Sequence, residues 1–133
     1  MKRILGIDYG EKRVGLALSD LMQLIASPFK TIPNNSSLFT ALKKIIDEYE
    51  VEKVVVGLPK GMKGQETQQT KFVRNFITQL EDNNILVDLE DERLSSITAK
   101  KSLIQQGIKT GHNKGLIDQT AAAIFLQLYL DRQ

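Results

Sequence analysis

An apolar strand that leads directly into an acidic residue is the feature that most constrains this chain. Ile4 to Ile7 lead into Asp8, Gly10 follows, and a second apolar segment begins at Val14. An ionised carboxylate at the end of a core strand is costly unless a partner compensates for its charge. A metal ion or a substrate phosphate can supply that compensation, so Asp8 is the first candidate for a functional residue.

Three apolar segments close together in the sequence predict an antiparallel meander. They cover residues 4–9, 14–19 and 25–32. Pro28 and Pro33 favour an edge position for the third strand, because proline cannot donate a hydrogen bond within a sheet. Gly10 and Gly15 are predicted to shape the hairpin between the first two strands and to let a phosphate backbone approach.

The rest of the chain predicts helices that alternate with two more strands. The strands cover residues 53–57 and 86–90, and the helices lie near 38–49, 72–80, 95–106 and 117–128. Ile117, Ala121, Ile124 and Leu128 are expected on the core face of the last helix. Because crossover helices connect parallel strands, the sequence predicts an α/β fold with a mixed five-stranded sheet, three strands antiparallel and two parallel, in one domain of residues 1–133.

The residue content restricts the possible chemistry. The 133 residues include no cysteine and a single histidine, His112. These numbers exclude thiol nucleophiles and histidine clusters, so a bound metal must have mainly oxygen ligands, which is typical of Mg²⁺ or Mn²⁺. The formal net charge of +2 does not by itself indicate a nucleic-acid-binding protein. The N-terminal residues do not resemble a signal peptide, and we expect a cytoplasmic protein.

Three acidic residues occupy positions at which they can meet. Asp8 ends the first strand, Glu92 follows the last strand, and Asp118 is predicted in the first turn of the last helix. Parallel strands bring their carboxyl ends to one edge of a sheet, where open α/β sheets place their ligands. Three close carboxylates raise the pKa of at least one of them unless a cation is present. Bound Mg²⁺ would remove this repulsion and support phosphodiester cleavage.

Each of these acids, taken alone, also has a purely structural explanation. Asp8 can begin a β-turn, since Asp before Gly is common turn chemistry. Asp118 can complement a helix dipole. Glu92 can pair with Arg93 or a lysine on the surface. The functional interpretation therefore depends on the joint placement of the three residues.

Four distinctive sequence blocks are spread in order over nearly the whole chain. They are Asp8-Tyr9-Gly10-Glu11-Lys12-Arg13-Val14-Gly15-Leu16-Ala17, Gly57-Leu58-Pro59 with Gly64, Asp91-Glu92-Arg93-Leu94-Ser95, and Lys114-Gly115-Leu116-Ile117-Asp118-Gln119-Thr120-Ala121-Ala122. Together they resemble the YqgF/RuvX family of RNase H-like proteins. The resemblance implies an RNase H-like fold and a metal-dependent nuclease whose catalytic and metal-binding acids are Asp8, Glu92 and Asp118.

The resemblance also implies a nucleic-acid substrate. Members of the family are described as nucleases that process the 5′ end of precursor 16S ribosomal RNA and as Holliday junction resolvases. Basic residues from four segments are expected to hold phosphates near the acids. They are Lys12, Arg13, Lys60, Lys63, Arg93, Lys109, His112 and Lys114. Tyr9 is predicted either to stack on a base or to pack in the core.

The leading hypothesis is a Mg²⁺- or Mn²⁺-dependent nuclease that acts on structured RNA. Junction resolution on DNA and nucleic-acid binding without catalysis remain as alternatives. The sequence leaves open whether the protein is a monomer or a homodimer, and whether it cuts from an end or internally.

Overall fold

The computed structural model describes residues 2–92 and 114–133, and within them five strands form one mixed sheet. The strands are β1 (Arg3–Tyr9), β2 (Arg13–Ser19), β3 (Ala26–Pro33), β4 (Val51–Leu58) and β5 (Val87–Asp91). Their order is β3-β2-β1-β4-β5. The first three strands pair antiparallel, and β4 pairs parallel with both β1 and β5. This arrangement confirms the predicted fold class and the edge position of β3.

Helices cover both faces of the sheet. The described helices are α1 (Leu38–Glu48), α2 (Gln68–Asp82) and α3 (Lys114–Asp131). Helices α1 and α2 share a buried cluster with one face of the sheet, and α3 shares a second cluster with the other face. The helix predicted near residues 95–106 lies outside the described residues. No helix in the described part of the chain is both long enough and apolar enough to cross a membrane.

Strand β1 lies in the centre of the sheet because its side chains are apolar on both faces. Leu5 and Ile7 belong to the cluster with α1 and α2, whereas Ile4 belongs to the cluster with α3. All three residues are fully buried. A continuous apolar run of this kind is typical of a strand that is covered on both sides. The alternation places Asp8, two residues beyond Gly6, on the face that α3 covers.

Helix α2 begins with a capping box that also holds the preceding loop. The Thr70 backbone N–H donates to Thr67 Oγ1 at 3.3 Å, and the Thr67 N–H donates to Thr70 Oγ1 at 2.9 Å. The buried Thr70 hydroxyl also donates to the Pro59 carbonyl. These bonds satisfy backbone groups that the first turn of a helix leaves open, and they fix the start of α2 against the end of β4.

Helix α3 packs against the sheet mainly through residues other than the predicted ones. Ala121 is buried as predicted, but Leu128 is 49% exposed, and the other buried residues include Ala122, Phe125, Leu126 and Tyr129. The helix is apolar on nearly all sides, so the spacing of its apolar residues could not indicate which face is buried. The helix also begins at Lys114, which places Asp118 in the second turn and not in the predicted first turn.

Substitution of two leucines on α3 tests which side of the helix packs on the sheet. Leu126→Ala should lower the free energy of unfolding by about 2–5 kcal/mol, because the buried side chain leaves a cavity against β1. Leu128→Ala should change it by no more than about 0.5 kcal/mol, because this side chain is half exposed. Urea denaturation of both variants measures the difference. Equal losses for the two variants would contradict the observed packing.

Candidate active site

Glu92 lies beside Asp8 although a whole strand, β4, separates β1 from β5. The two carboxyl groups share a side-chain hydrogen bond. Gly57 of β4 makes this contact possible: a Cβ atom there would lie 2.7 Å from Glu92 Oε2 and 2.6 Å from the ring of Phe125. The Glu92 backbone N–H donates to the Leu58 carbonyl at 3.3 Å, which continues the pairing of β5 with β4 up to the acid.

Asp118 approaches Asp8 from helix α3, which packs on one face of the sheet. Its backbone lies directly on Gly15, where an added Cβ atom would be 2.4 Å from the Asp118 carbonyl carbon. Gly15 is the register partner of Asp8 in the β1–β2 pair, so Asp118 lies next to Asp8. The Thr31 hydroxyl donates to the Gly115 carbonyl at 2.6 Å and holds the first turn of α3 on the sheet.

The role predicted for Gly15 was therefore wrong. The space that its missing side chain leaves is filled by the Asp118 backbone and is not open to a phosphate. Gly10 does shape the hairpin as predicted: its N–H donates to the Arg13 carbonyl at 3.1 Å, and a Cβ atom there would meet the same oxygen at 2.7 Å.

Burial and neighbouring negative charges raise the pKa of both paired acids. Burial, followed by the charge of Asp8 and the hydrogen bond with it, raises the pKa of Glu92 to about 9. Burial and the Asp118 charge raise the pKa of Asp8 to about 6, although the hydrogen bond from Glu92 and the charge of Arg13 oppose the shift. Near neutral pH, Glu92 therefore holds a proton and donates it to the Asp8 carboxylate.

Asp118 pairs with a cation instead of with the other two acids. Arg13 Nε donates to Asp118 Oδ2 in a part-buried ion pair. Burial raises the pKa of Asp118, and the hydrogen bond and charge of Arg13 act against this rise. Arg13 is the first residue of β2, two positions before Gly15, so the two residues project from the same face of the strand.

A cleft of about 320 Å³ opens in front of these residues. It is lined by Asp8 and Asp118 together with two of the predicted basic residues, Lys12 and Arg13. Gln69, from the first turn of α2, completes one wall. No sequence pattern singled out Gln69, since its approach to the cleft depends on how α2 packs on the sheet.

The other predicted basic residues are not brought to this cleft or are not described. Lys60, Lys63 and Lys114 do not line it. Lys114 is exposed at the start of α3, and Lys63 is exposed in the loop before α2. Arg93, Lys109 and His112 lie outside the described residues. Lys114 and Gly115 belong to α3, which begins three residues before the helix predicted near 117–128.

Tyr9 packs in the core, which decides between its two predicted roles. Its ring stacks on Phe76 with the centroids 3.9 Å apart and the planes at 5°, and it lies 4.9 Å from the ring of Phe72. The side chain therefore points toward α2, on the opposite face of the sheet from Asp8.

The donor set fits a divalent cation bound by oxygen. Asp8, Glu92 and Asp118 offer only carboxylate oxygens, which Mg²⁺ and Mn²⁺ prefer. Burial and nearby carboxylates raise the pKa of Asp8 and Glu92, and a bound cation would favour the ionised form of both groups. Within residues 2–92 and 114–133, no three acidic or histidine side chains already stand as a metal-binding group. The side chains would have to rearrange to hold an ion, and Asp118 would have to turn from Arg13.

Comparison with known sequences supports the resemblance seen in the four sequence blocks. The sequence profile of the RuvX family, described as a Holliday junction resolvase, matches residues 2–132. A protein of Flavobacterium psychrophilum named "Putative pre-16S rRNA nuclease" is 40% identical over 137 residues, which cover 100% of this chain and 99% of that protein. A protein of the same name from Endomicrobium trichonymphae is 42% identical, with 100% and 98% covered.

Comparison with solved structures establishes the type of fold. Thermus thermophilus RuvC in complex with a Holliday junction substrate superposes with a TM-score of 0.57 at 14% identity, covering 99% of this chain and 95% of that one. The fowlpox virus resolvase in complex with Holliday junction DNA gives a TM-score of 0.59 at 13% identity, with 98% and 97% covered. The likeness confirms the predicted RNase H-like fold.

Two glycine substitutions test how Asp118 is held in place. Gly15→Ala should lower the free energy of unfolding by about 1–3 kcal/mol, because the new methyl group would collide with the Asp118 backbone. Gly115→Ala is the matched control on α3: its Cβ atom would meet Thr31 at an ordinary 3.5 Å. This variant should be as stable as the wild type or more stable, by up to about 1 kcal/mol. Urea denaturation measures both, and a neutral Gly15→Ala would contradict the close approach.

Glu92→Gln should stabilise the protein in the presence of a chelator. Because the pKa of Glu92 is raised from 4.5 to about 9, the folded protein keeps a proton that the unfolded chain releases within this pH range. The free energy of unfolding therefore falls as the pH rises through the range, and glutamine removes this loss. We expect a gain on the order of 2 kcal/mol at pH 8 and a smaller gain at pH 5.

The measurement is urea denaturation of the metal-free protein at both pH values. Glu81→Gln serves as the control, because Glu81 is exposed on α2, and its substitution should change stability by less than about 0.5 kcal/mol. A Glu92→Gln variant that is less stable than the wild type at pH 8 would contradict the raised pKa of Glu92.

Proposed function

Because this chain belongs to the RuvX family, we propose that it is a nuclease that hydrolyses phosphodiester bonds at the edge formed by Asp8, Glu92 and Asp118. The proposed substrate is precursor 16S ribosomal RNA, which the names of the full-length relatives specify for those proteins. Structured RNA is therefore the partner we propose for this protein.

The observation that carries the proposal is the meeting of three acids from distant parts of the chain. Strand β1 supplies Asp8, the residue after β5 is Glu92, and the second turn of α3 supplies Asp118. Glycines at two of the contact points, Gly15 and Gly57, leave room only for these acids and the helix above them. A solvated surface acid needs no such space, so the structural explanations of the three residues account poorly for the arrangement.

We propose that the three carboxylates bind one or two Mg²⁺ or Mn²⁺ ions. When bound, the ions supply charge neutralisation at the reacting phosphate and activation of the attacking water. On binding a cation, Asp8 and Glu92 would release the proton that they share to solvent, so that both carboxylates could act as ligands. Lys12 and Arg13, which line the cleft, are positioned to bind the phosphate backbone.

A second candidate function is the resolution of Holliday junctions in DNA. It is favoured by the description of the family whose profile matches residues 2–132. The likeness to RuvC does not decide between the two substrates, because at 14% identity it carries the fold alone. Paired symmetric cuts in a junction normally require a two-fold dimer, so this candidate also predicts a homodimer.

The proposal includes a single domain and a location in the cytoplasm. A domain of residues 1–133 is supported by the family profile, which spans residues 2–132 without a break. The cytoplasm is proposed from the substrate, because a nuclease that processes precursor ribosomal RNA has to share a compartment with that RNA.

The test compares two substrates under the same conditions. Purified protein is incubated with Mn²⁺ and either an RNA that carries the 5′ precursor end of 16S ribosomal RNA or a four-way DNA junction. We expect cleavage of the RNA, and a loss of at least about 10³-fold in rate for Asp8→Asn. The control is Asp47→Asn, because Asp47 is exposed on α1, on the opposite side of the sheet, and should leave the rate unchanged.

Each other outcome would favour a different function. Cleavage of the junction alone would favour the resolvase. Binding of RNA without cleavage by the wild type, in either metal, would favour a binding protein. Cleavage by Asp8→Asn at the wild-type rate would remove Asp8 from the reaction.

A further inference from the structure

The ion pair between Arg13 and Asp118 occupies a carboxylate that the proposed reaction needs. Arg13 uses its Nε atom alone, and within residues 2–92 and 114–133 this is the only hydrogen bond of the guanidinium. The two Nη groups, which make the strong paired contacts of arginine with phosphates, therefore remain available on the described part of the chain.

The pair is placed so that it can open. The Arg13 side chain is 38% exposed and that of Asp118 is 22% exposed, and pairs with this much access to water contribute little to stability. Both residues line the cleft of about 320 Å³, which leaves room for the guanidinium to move without disturbing the core.

The position of Arg13 also conflicts with metal binding as long as the pair is closed. A cation held against Asp118 repels a second cation at the same carboxylate. The described residues contain no ready group of three metal ligands, which agrees with an Asp118 that is turned toward arginine. Asp8, in contrast, shares its side-chain hydrogen bond with Glu92, and Arg13 acts on it only through its charge.

We propose that Arg13 is an exchangeable counter-ion, which neutralises Asp118 in the metal-free protein and moves to the substrate phosphate when Asp118 takes up a divalent cation. This inference rests on the proposed nuclease function. Arg13 would thus keep the acidic edge from carrying an uncompensated charge before the reaction and would bind the reacting strand during it. In the metal-free protein Arg13 thus competes with the metal for Asp118, and during the reaction it binds the substrate.

The first test measures Mg²⁺ affinity by isothermal titration calorimetry. Arg13→Gln should bind Mg²⁺ at least about fivefold more tightly than the wild type, because the competing cation is gone. Arg13→Lys, which keeps the charge, should lie near the wild type. Lys12→Gln is the matched control: it removes the same charge from the same cleft without breaking the ion pair, so its effect on affinity should be smaller.

The second test separates the two roles of Arg13 by kinetics. Arg13→Gln should raise the KM for the precursor RNA about tenfold or more, since the phosphate loses a charged hydrogen-bond donor. The same variant should need less Mg²⁺ for half-maximal rate. Opposite shifts of the two constants would not arise from a purely structural role, which would weaken both kinds of binding.

A direct signature comes from the Nε–H resonance of Arg13 in an NMR spectrum. In chelator, the proton should exchange slowly with water because it is hydrogen-bonded to Asp118. Addition of Mg²⁺ alone should accelerate that exchange as the pair opens. The Arg13→Lys spectrum assigns the resonance by its loss.

Failure of the inference and failure of the proposed function give different results. If the wild type binds Mg²⁺ but Arg13→Gln binds it equally or more weakly, Arg13 orients Asp118 and the exchange is wrong, while the nuclease proposal stands. An Nε–H resonance that does not respond to saturating Mg²⁺ leads to the same conclusion. If the wild type binds neither Mg²⁺ nor Mn²⁺, the metal-dependent nuclease itself is overturned.

Discussion

The repulsion between buried carboxyl groups is the constraint on which this site depends. Asp8 and Glu92 meet beneath α3, and burial raises the pKa of both; the Asp118 charge raises the pKa of Asp8 further, and the Asp8 charge raises that of Glu92. Two contacts reduce this repulsion in the protein alone. Asp8 and Glu92 share a proton, and Asp118 forms an ion pair with Arg13. A divalent cation would replace both compensations at once, which couples metal binding to the protonation and side-chain arrangement of the site.

Small residues make this concentration of charge possible. Gly15 and Gly57 lie on the face of the sheet that α3 covers, at points where even a methyl group would collide with Asp118 or with Glu92 and Phe125. The helix contributes alanines at positions 121, 122 and 123, all of them buried. Close approach of helix and sheet therefore brings Asp118 of α3 near enough to Asp8, at the end of β1, for its charge to raise the pKa of Asp8. The same glycines that let α3 pack closely on the sheet therefore also set the positions of the acids.

The sequence predicted the elements of the fold better than their contacts. Strand directions and the edge position of β3 followed from apolar runs, prolines and crossover rules, and the meeting of Asp8 with Glu92 followed from parallel strands. The buried face of α3 could not be predicted, because alanine, leucine and phenylalanine surround the helix and leave no polar side. The role of Gly15 depended on which helix packs against it. The pairing of Arg13 with Asp118 depended on which of the three acids the guanidinium reaches in the folded protein. These are properties of tertiary packing, which no local pattern encodes.

Anomalous diffraction from crystals soaked in Mn²⁺ tests the central claim most directly, because it locates the ion without reference to activity. The account predicts a strong peak bounded by carboxylate oxygens of Asp8, Glu92 and Asp118, with the Arg13 guanidinium withdrawn from Asp118. A structure with Mn²⁺ bound elsewhere on the protein, or with these three side chains unliganded at a saturating Mn²⁺ concentration, would contradict it.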